Sequence, residues 1–418
     1  MPDNLPSTHN KQLILERFIG QRSDLYCSAL FLVKYPILEG DIGNALEFES
    51  ATESLIFPLS SAIVQKKIRM DDCDQVASTG FDIEKIGCFK YKGGLCIVGE
   101  AECRETMAKV QISSLQDLTC NRSKTTIEPQ TKEFEYSMHL SGVIAVDISH
   151  EHEYCASLGS KNDGKRTFRI WEIDKIGARL DYREVNQNKH IGEITGLEFS
   201  DDDKFVFLST IKGEIIVIEV ERMVIRQIIG SVAGKQLKKI TCLKLLTNFS
   251  DKLNIDNDPV EMPKDTLALC DVDGGIKIIE IPRSNIEDKI IKQLVKLRIP
   301  DGYVKSLCKV GKREIAIISD KGLLASFNIQ NPLLSGLNIL HESFIQSITS
   351  LKFAEDTDKL FLASGGSKIC IFQSSTMTLK TIIEIKSLEC LSNIIIGGGS
   401  IILSGWSDGS IRAFGPES

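Results

Sequence analysis

Along most of the chain, apolar residues fall in short runs divided by tight polar turns, and the runs come in groups of three. The clearest group is Ile194-Thr195-Gly196-Leu197-Glu198-Phe199-Ser200, then 204–209, then 213–219. Runs this short, rich in Ile, Val and Phe and bounded by Ser, Asp and Gly, predict three β-strands joined by hairpins. Side chains of Ser200, Asp201, Asp202 and Asp203 can bond a turn's own amides, and Gly213 permits a positive φ before the third strand.

The group recurs at 143–149, 154–159 and 168–173, where a Trp-acid ending, Trp171-Glu172, is visible, and at 348–353, 360–366 and 368–372. A last copy spans 403–414 and supplies the second and third strands of its unit. Weaker copies at 45–68, 86–112, 240–280 and 304–328 bring the series to about eight units at the period of a propeller blade, roughly 40–45 residues. A small four-stranded sheet cannot bury both faces alone, so such units stack around an axis. The fold expected is all-β: a WD-repeat β-propeller of seven or eight four-stranded blades. Residues 248–264 and 120–132 interrupt the period and read as polar loops. Apolar positions within 11–20 fit an outer strand that closes the ring against a carboxy-terminal blade, or a short helix. The division is therefore 1–44 as an amino-terminal arm and 45–418 as propeller, or alternatively 45–345 as a first propeller and 346–418 as the start of a second.

Composition adds exclusions. With 42% hydrophobic and 26% charged residues the chain has no apolar run long enough to cross a bilayer, and its polar first residues lack the order of a secretory signal. Twelve cysteines without paired short spacings, most of them inside apolar runs, fit reduced cytoplasm. A net charge of -7 argues against a general grip on nucleic acid. The run Gln65-Lys66-Lys67-Ile68-Arg69 is one small basic candidate for docking an acidic partner, although a solvated strand end explains it as well.

Catalytic chemistry is not evident. His150-Glu151-His152, with Asp147 nearby, is the one local cluster that resembles metal ligands, since positions two apart on a strand share a face. It falls where the other units have a polar hairpin turn, and the turn is the preferred reading. Gly397-Gly398-Gly399-Ser400 lacks the Lys-Ser or Lys-Thr of a phosphate loop, and Asp201-Asp202-Asp203 would be solvated in a turn. Asn121-Arg122-Ser123 and Asn248-Phe249-Ser250 match the glycosylation sequon, which says little in a reduced compartment. No catalytic, cofactor-binding or metal residue is assigned, no small-molecule substrate is evident, and protein-binding residues stay unassigned.

The order of irregularities resembles one family of WD-repeat proteins, the cilia- and flagella-associated protein 52 family. Ala45-Leu46-Glu47-Phe48 followed by Leu55-Ile56-Phe57-Pro58-Leu59 is similar to its first unit, and 158–164 followed by Ile170-Trp171 to its long Asp-Gly hairpin. The most specific match is the closing Gly405-Trp406-Ser407-Asp408-Gly409-Ser410-Ile411-Arg412-Ala413-Phe414-Gly415-Pro416-Glu417-Ser418. The resemblance implies a non-enzymatic structural protein of the axoneme, a microtubule inner protein of ciliary and flagellar doublets with tubulin and neighbouring axonemal proteins as partners. Members of that family carry two propellers, so the chain reads as a fragment or as a shortened relative with one ring. A generic cytoplasmic WD scaffold or adaptor has the same fold and is the rival reading.

Overall fold

The computed structural model describes residues 13–21, 47–49, 54–59, 62–67, 76–83, 86–101, 108–114, 139, 142–159, 168–173, 180–184, 194–246, 264–282, 291–310, 314–329, 336–341, 348–353, 360–386, 390–396, 401–406 and 410–416. Among these there are strands and no helix. They form eight antiparallel sheets of three or four strands, seven of them built from consecutive strands in chain order. The first blade runs Glu47–Glu49, Ser54–Leu59, Ala62–Lys67 and Val76–Gly80, and the second has the described strands Ile86–Lys92, Leu95–Glu100 and Val110–Ser114. The third begins at Val143–Ile148, the fourth at Ile194–Phe199, the fifth at Ile240–Leu245, the sixth at Val304–Val310, the seventh at Ile348–Phe353 and the eighth at Cys390–Ile396.

From the second blade to the eighth each opening strand touches that of the next, Ile86–Lys92 touches Ser54–Leu59 of the first blade, and Cys390–Ile396 touches Glu47–Glu49 of the first blade. They therefore line the axis of a β-propeller. The eighth blade holds Cys390–Ile396, Ile401–Trp406 and Ser410–Pro416 in sequence, and Leu13–Gln21 lies antiparallel on its outer edge, pairing Leu13 with Pro416 and Gln21 with Ser410. That segment is a strand rather than the rival helix.

Position within the blade explains each strand's composition. Second and third strands are covered on both faces by neighbouring blades, so Phe205–Thr210 is buried at every residue and Ile215–Glu219 at all but its last. Apolar clusters bridge adjacent blades: Phe199, Val206 and Ile218 of the fourth pack with Leu158 and Ile170 of the third, and Phe327 and Ile317 of the sixth with Ile278 and Val295 of the fifth. Each such side chain contributes about 1.5–3 kcal/mol by leaving water. Opening strands are only partly covered, because one face meets the axis; Val304–Val310 buries only Val304, Leu307 and Val310.

One irregularity repeats. In seven blades the pairing of the opening strand skips its second residue, leaving Gly87, Ile144, Thr195, Thr241, Lys305, Thr349 and Leu391 unpaired in the ladder. A β-bulge at that place increases the local twist of each sheet as it leaves the axis.

Of the sequence readings, Gln65, Lys66 and Lys67 belong to the third strand of the first blade, with Gln65 buried, while Ile68 and Arg69 lie outside the described residues. The loop at 120–132, the interruption at 248–263, the Asp163-Gly164 hairpin and Gly397–Ser400 also lie outside them, and Lys264 opens a strand.

Candidate binding surfaces and the axial channel

The opening strands of the second to fifth blades line a cavity of about 550 Å³ at the axis. After the bulge residue, every second side chain faces it, which places Lys90, Asp147, Glu198 and Lys244 around its wall. Lys244 and Glu198 pair across two blades, Nζ to Oε1 at 3.1 Å. Lys92 donates to the carbonyl of Ile148 at 3.5 Å, and burial lowers its pKa against the opposing pull of Asp147, Asp203 and Asp201. Three lysines, Lys90, Lys92 and Lys244, are interspersed with the carboxylates Asp147 and Glu198, so the wall offers no single sign of charge to a ligand.

At one end of the barrel lie the turns between first and second strands. Ser149 Oγ accepts the amide of Tyr154 and Ser200 Oγ that of Phe205, each at 2.9 Å, so the same hydroxyl-capped turn is built twice. Asp203, at φ 57°, joins the two turns: its carboxylate accepts the amides of His150 at 2.6 Å and Glu151 at 2.5 Å. The candidate metal ligands sit on this turn and diverge. His150 Nδ1 approaches Asp203 Oδ1 of the following blade at 3.3 Å, whereas His152 packs against Gly93 of the preceding blade, where an added Cβ would lie 2.3 Å from its ring. Two-residue spacing brings imidazoles to one face of a strand, but a turn sends them opposite ways. Among the described residues no group of three or more ligands gathers.

One network went unread in the sequence. His139 is fully buried and its Nε2 lies 2.9 Å from Ser157 Oγ, which also accepts the indole N–H of Trp171 at 2.9 Å. Burial, aided by Arg169, lowers the His139 pKa to about 3. A histidine beside a serine resembles a nucleophile and its base, but both are enclosed, so the trio fastens the approach to the third blade onto its middle strands. Trp406 repeats half of it, donating to Ser404 Oγ at 2.7 Å. The only hint in the sequence was the placement of each Trp in a third or second strand within reach of a serine.

The other end carries the turns between second and third strands and the links between blades. It is stiffly capped. Asp271 accepts the amides of Asp273 and Gly275 and pairs with Lys277, Ser319 Oγ accepts those of Lys321 and Leu323, and Asp320 accepts that of Tyr303. Between the fourth and fifth blades a separate hairpin, Ser231–Val232 with Lys235–Gln236, rises on a turn whose Ala233 and Gly234 have φ of 50° and 71°. Val232 and Leu237 anchor it in the core below, and residues 233–236 are exposed.

No known family model matches the chain. It is 21% identical over 424 residues to the Chlamydomonas reinhardtii protein named Cilia- and flagella-associated protein 52, an alignment covering 91% of this chain and 62% of that protein. The bovine and mouse proteins of the same name are 20% and 22% identical over 61% of this chain, covering 36% and 37% of their own lengths. The chain thus spans less than two thirds of the length of these relatives. Among solved structures, the carboxy-terminal WD40 domain of Sif2 superposes with a TM-score of 0.61 at 12% identity, covering 90% of this chain and 97% of that one. The computationally designed Ika8 protein gives 0.58 at 16% identity, covering 90% and 98%. These likenesses establish the WD-repeat fold. Along most of its length the chain is similar to proteins from an alga and from mammals that share one name, Cilia- and flagella-associated protein 52.

Proposed function

We propose that this chain is a non-enzymatic structural protein of ciliary and flagellar doublet microtubules, held in the axoneme by tubulin and neighbouring inner proteins. The observation that carries the reading is the ordered match of 91% of the chain to a cilia- and flagella-associated WD-repeat protein. The channel wall of mixed charge and the enclosed His139–Ser157–Trp171 network support holding rather than turnover. We also propose that 45–418 make a single ring to which the 1–44 arm adds one strand; the pairing of Leu13–Gln21 with Ser410–Pro416 and the contact of Cys390–Ile396 with Glu47–Glu49 support that division.

The test is the location of the tagged protein in a flagellated cell, followed by stepwise extraction of axonemes. It should stay with the axoneme through detergent and high salt and leave only when doublets come apart. Recovery entirely in the detergent-soluble fraction, bound in a soluble complex, would replace this reading with that of a cytoplasmic adaptor.

A further inference from the structure

The chain carries net negative charge, yet cations concentrate at one end of the fourth and fifth blades. Lys212 sits on the turn beside Gly213, whose Cα lies so near the 237–238 backbone that an added Cβ would be 2.4 Å from the Leu237 carbonyl oxygen. Lys235 stands exposed on the hairpin, followed by Lys238 and Lys239. The Lys239 carbonyl accepts the amide of Val272, Lys238 pairs with Asp273, and Arg298 Nε donates to the Asp273 carbonyl oxygen at 3.1 Å. Backbone contacts thus place these cations on one continuous surface, where the carboxylates are Glu214, Asp271, Asp273, Asp301 and Asp320, of which Asp273 is engaged by Lys238, Asp271 by Lys277 and Asp320 by the Tyr303 amide.

Two further features distinguish this surface. The hairpin is, among the described residues, the one strand pair outside the blades, so its backbone was added to the ring rather than required by it. Its base is fixed by Val232 and Leu237 in the core, which presents Lys235 without the ordering cost that a loose loop would meet on binding. Val272 is an exposed apolar residue beside the cations, suited to the aliphatic part of a peptide.

We infer that the 231–239 hairpin and the adjoining turns of the fourth and fifth blades form a docking surface for an acidic, extended protein segment. Charge complementarity argues for the occupant: separated cations on a stiff, uneven surface match carboxylates spaced along a peptide, and the whole molecule's negative charge disfavours broad adhesion to a polyanion. The inference rests on the reading of the chain as a protein-binding propeller and is independent of its location.

Fluorescence anisotropy on the full chain, with a labelled peptide of alternating Glu and Gly as probe, tests it. Binding should weaken several-fold as salt rises from about 50 to 150 mM. The Lys235→Glu/Lys239→Glu variant should lose about tenfold or more in affinity, the milder Lys235→Gln/Lys239→Gln should fall between, and Lys204→Glu/Arg222→Glu at the opposite end should bind as the parent does. Circular dichroism melts of the variants identify those that stay folded, and the Gln pair keeps the test decisive if the Glu pair does not. Equal binding of a Gln-Gly peptide, unchanged affinity in the hairpin variants, or capture of an RNA oligonucleotide or phosphatidylserine vesicle in preference to the peptide would overturn the proposal. Peptide binding by a chain that never enters the axoneme would leave this surface standing and remove the ciliary reading; the reverse result would do the opposite.

Discussion

Asp203 reaches from the fourth blade to receive the backbone amide of His150 in the third at 2.6 Å. With the Glu151 amide at 2.5 Å, one buried carboxylate satisfies two donors of a neighbouring turn. Blade-to-blade cohesion therefore has a polar stitch at the end face in addition to the apolar clusters.

Asp203→Ala should cost about 2–3 kcal/mol, because the two amides lose a charged acceptor. Asp203→Asn keeps one carbonyl oxygen and tolerates the positive φ, so it should cost less. Urea unfolding midpoints of the two variants, compared at equal slope, check the order.

Acid should weaken the fold through His139. Its pKa is about 3 in the folded chain, below the ordinary 6.5, so the unfolded chain binds the proton more readily between those values. Stability from this group is complete above the unfolded value and falls as pH drops through the window, by up to about 1.4 kcal/mol per pH unit. A His139→Gln variant should show a shallower decline of stability between those limits, and an identical slope would refute the assignment.

Ser157→Ala deprives both Trp171 and His139 of the same hydroxyl, and a loss of about 1–3 kcal/mol is expected. Trp171→Phe removes only the donor and part of the ring, so the two changes should be less than additive when combined, since they break a shared bond. A double-mutant cycle by thermal unfolding measures the coupling.

Gly213→Ala is expected to disturb function more than its size suggests. Gly213 has φ 79°, and a methyl group would press on the Leu237 and Lys238 carbonyl oxygens. Destabilisation of about 1–3 kcal/mol should accompany weaker acidic-peptide binding, because the hairpin must shift. Unchanged binding in a folded Gly213→Ala chain would show that the hairpin's position is immaterial.

The sequence revealed the covered strands and missed the uncovered ones. Residues 204–209 and 213–219 predict what appears as Phe205–Thr210 and Ile215–Glu219, because burial on both faces demands an unbroken apolar run. Val224–Ile229 and Thr378–Glu384 edge their sheets, alternate poorly and leave Val224, Ile228 and Leu379 exposed, so no period marks them. The candidate site was less legible still. Gln65–Arg69 and Lys235–Lys239 are equally dense in charge along the chain, yet Gln65 is buried in a strand, while Lys235 stands on an exposed hairpin and its group gains Lys212 and Arg298 only through folding. Asp203 looks like its two neighbours until a positive φ turns it inward.

The pairing of Leu13–Gln21 with Ser410–Pro416 sets a clock on synthesis. The strand Leu13–Gln21 has no mate until Ser410–Pro416 has been made, a delay on the order of 20–80 s at roughly 5–20 residues per second. Throughout that interval the eighth blade's edge does not exist and the early strand is an open template for chaperones or for another nascent chain. Loop-closure entropy on this scale grows only slowly with length, so the finished pair holds well once made. The hazard lies in waiting, and slowing translation anywhere between these two strands should raise aggregation.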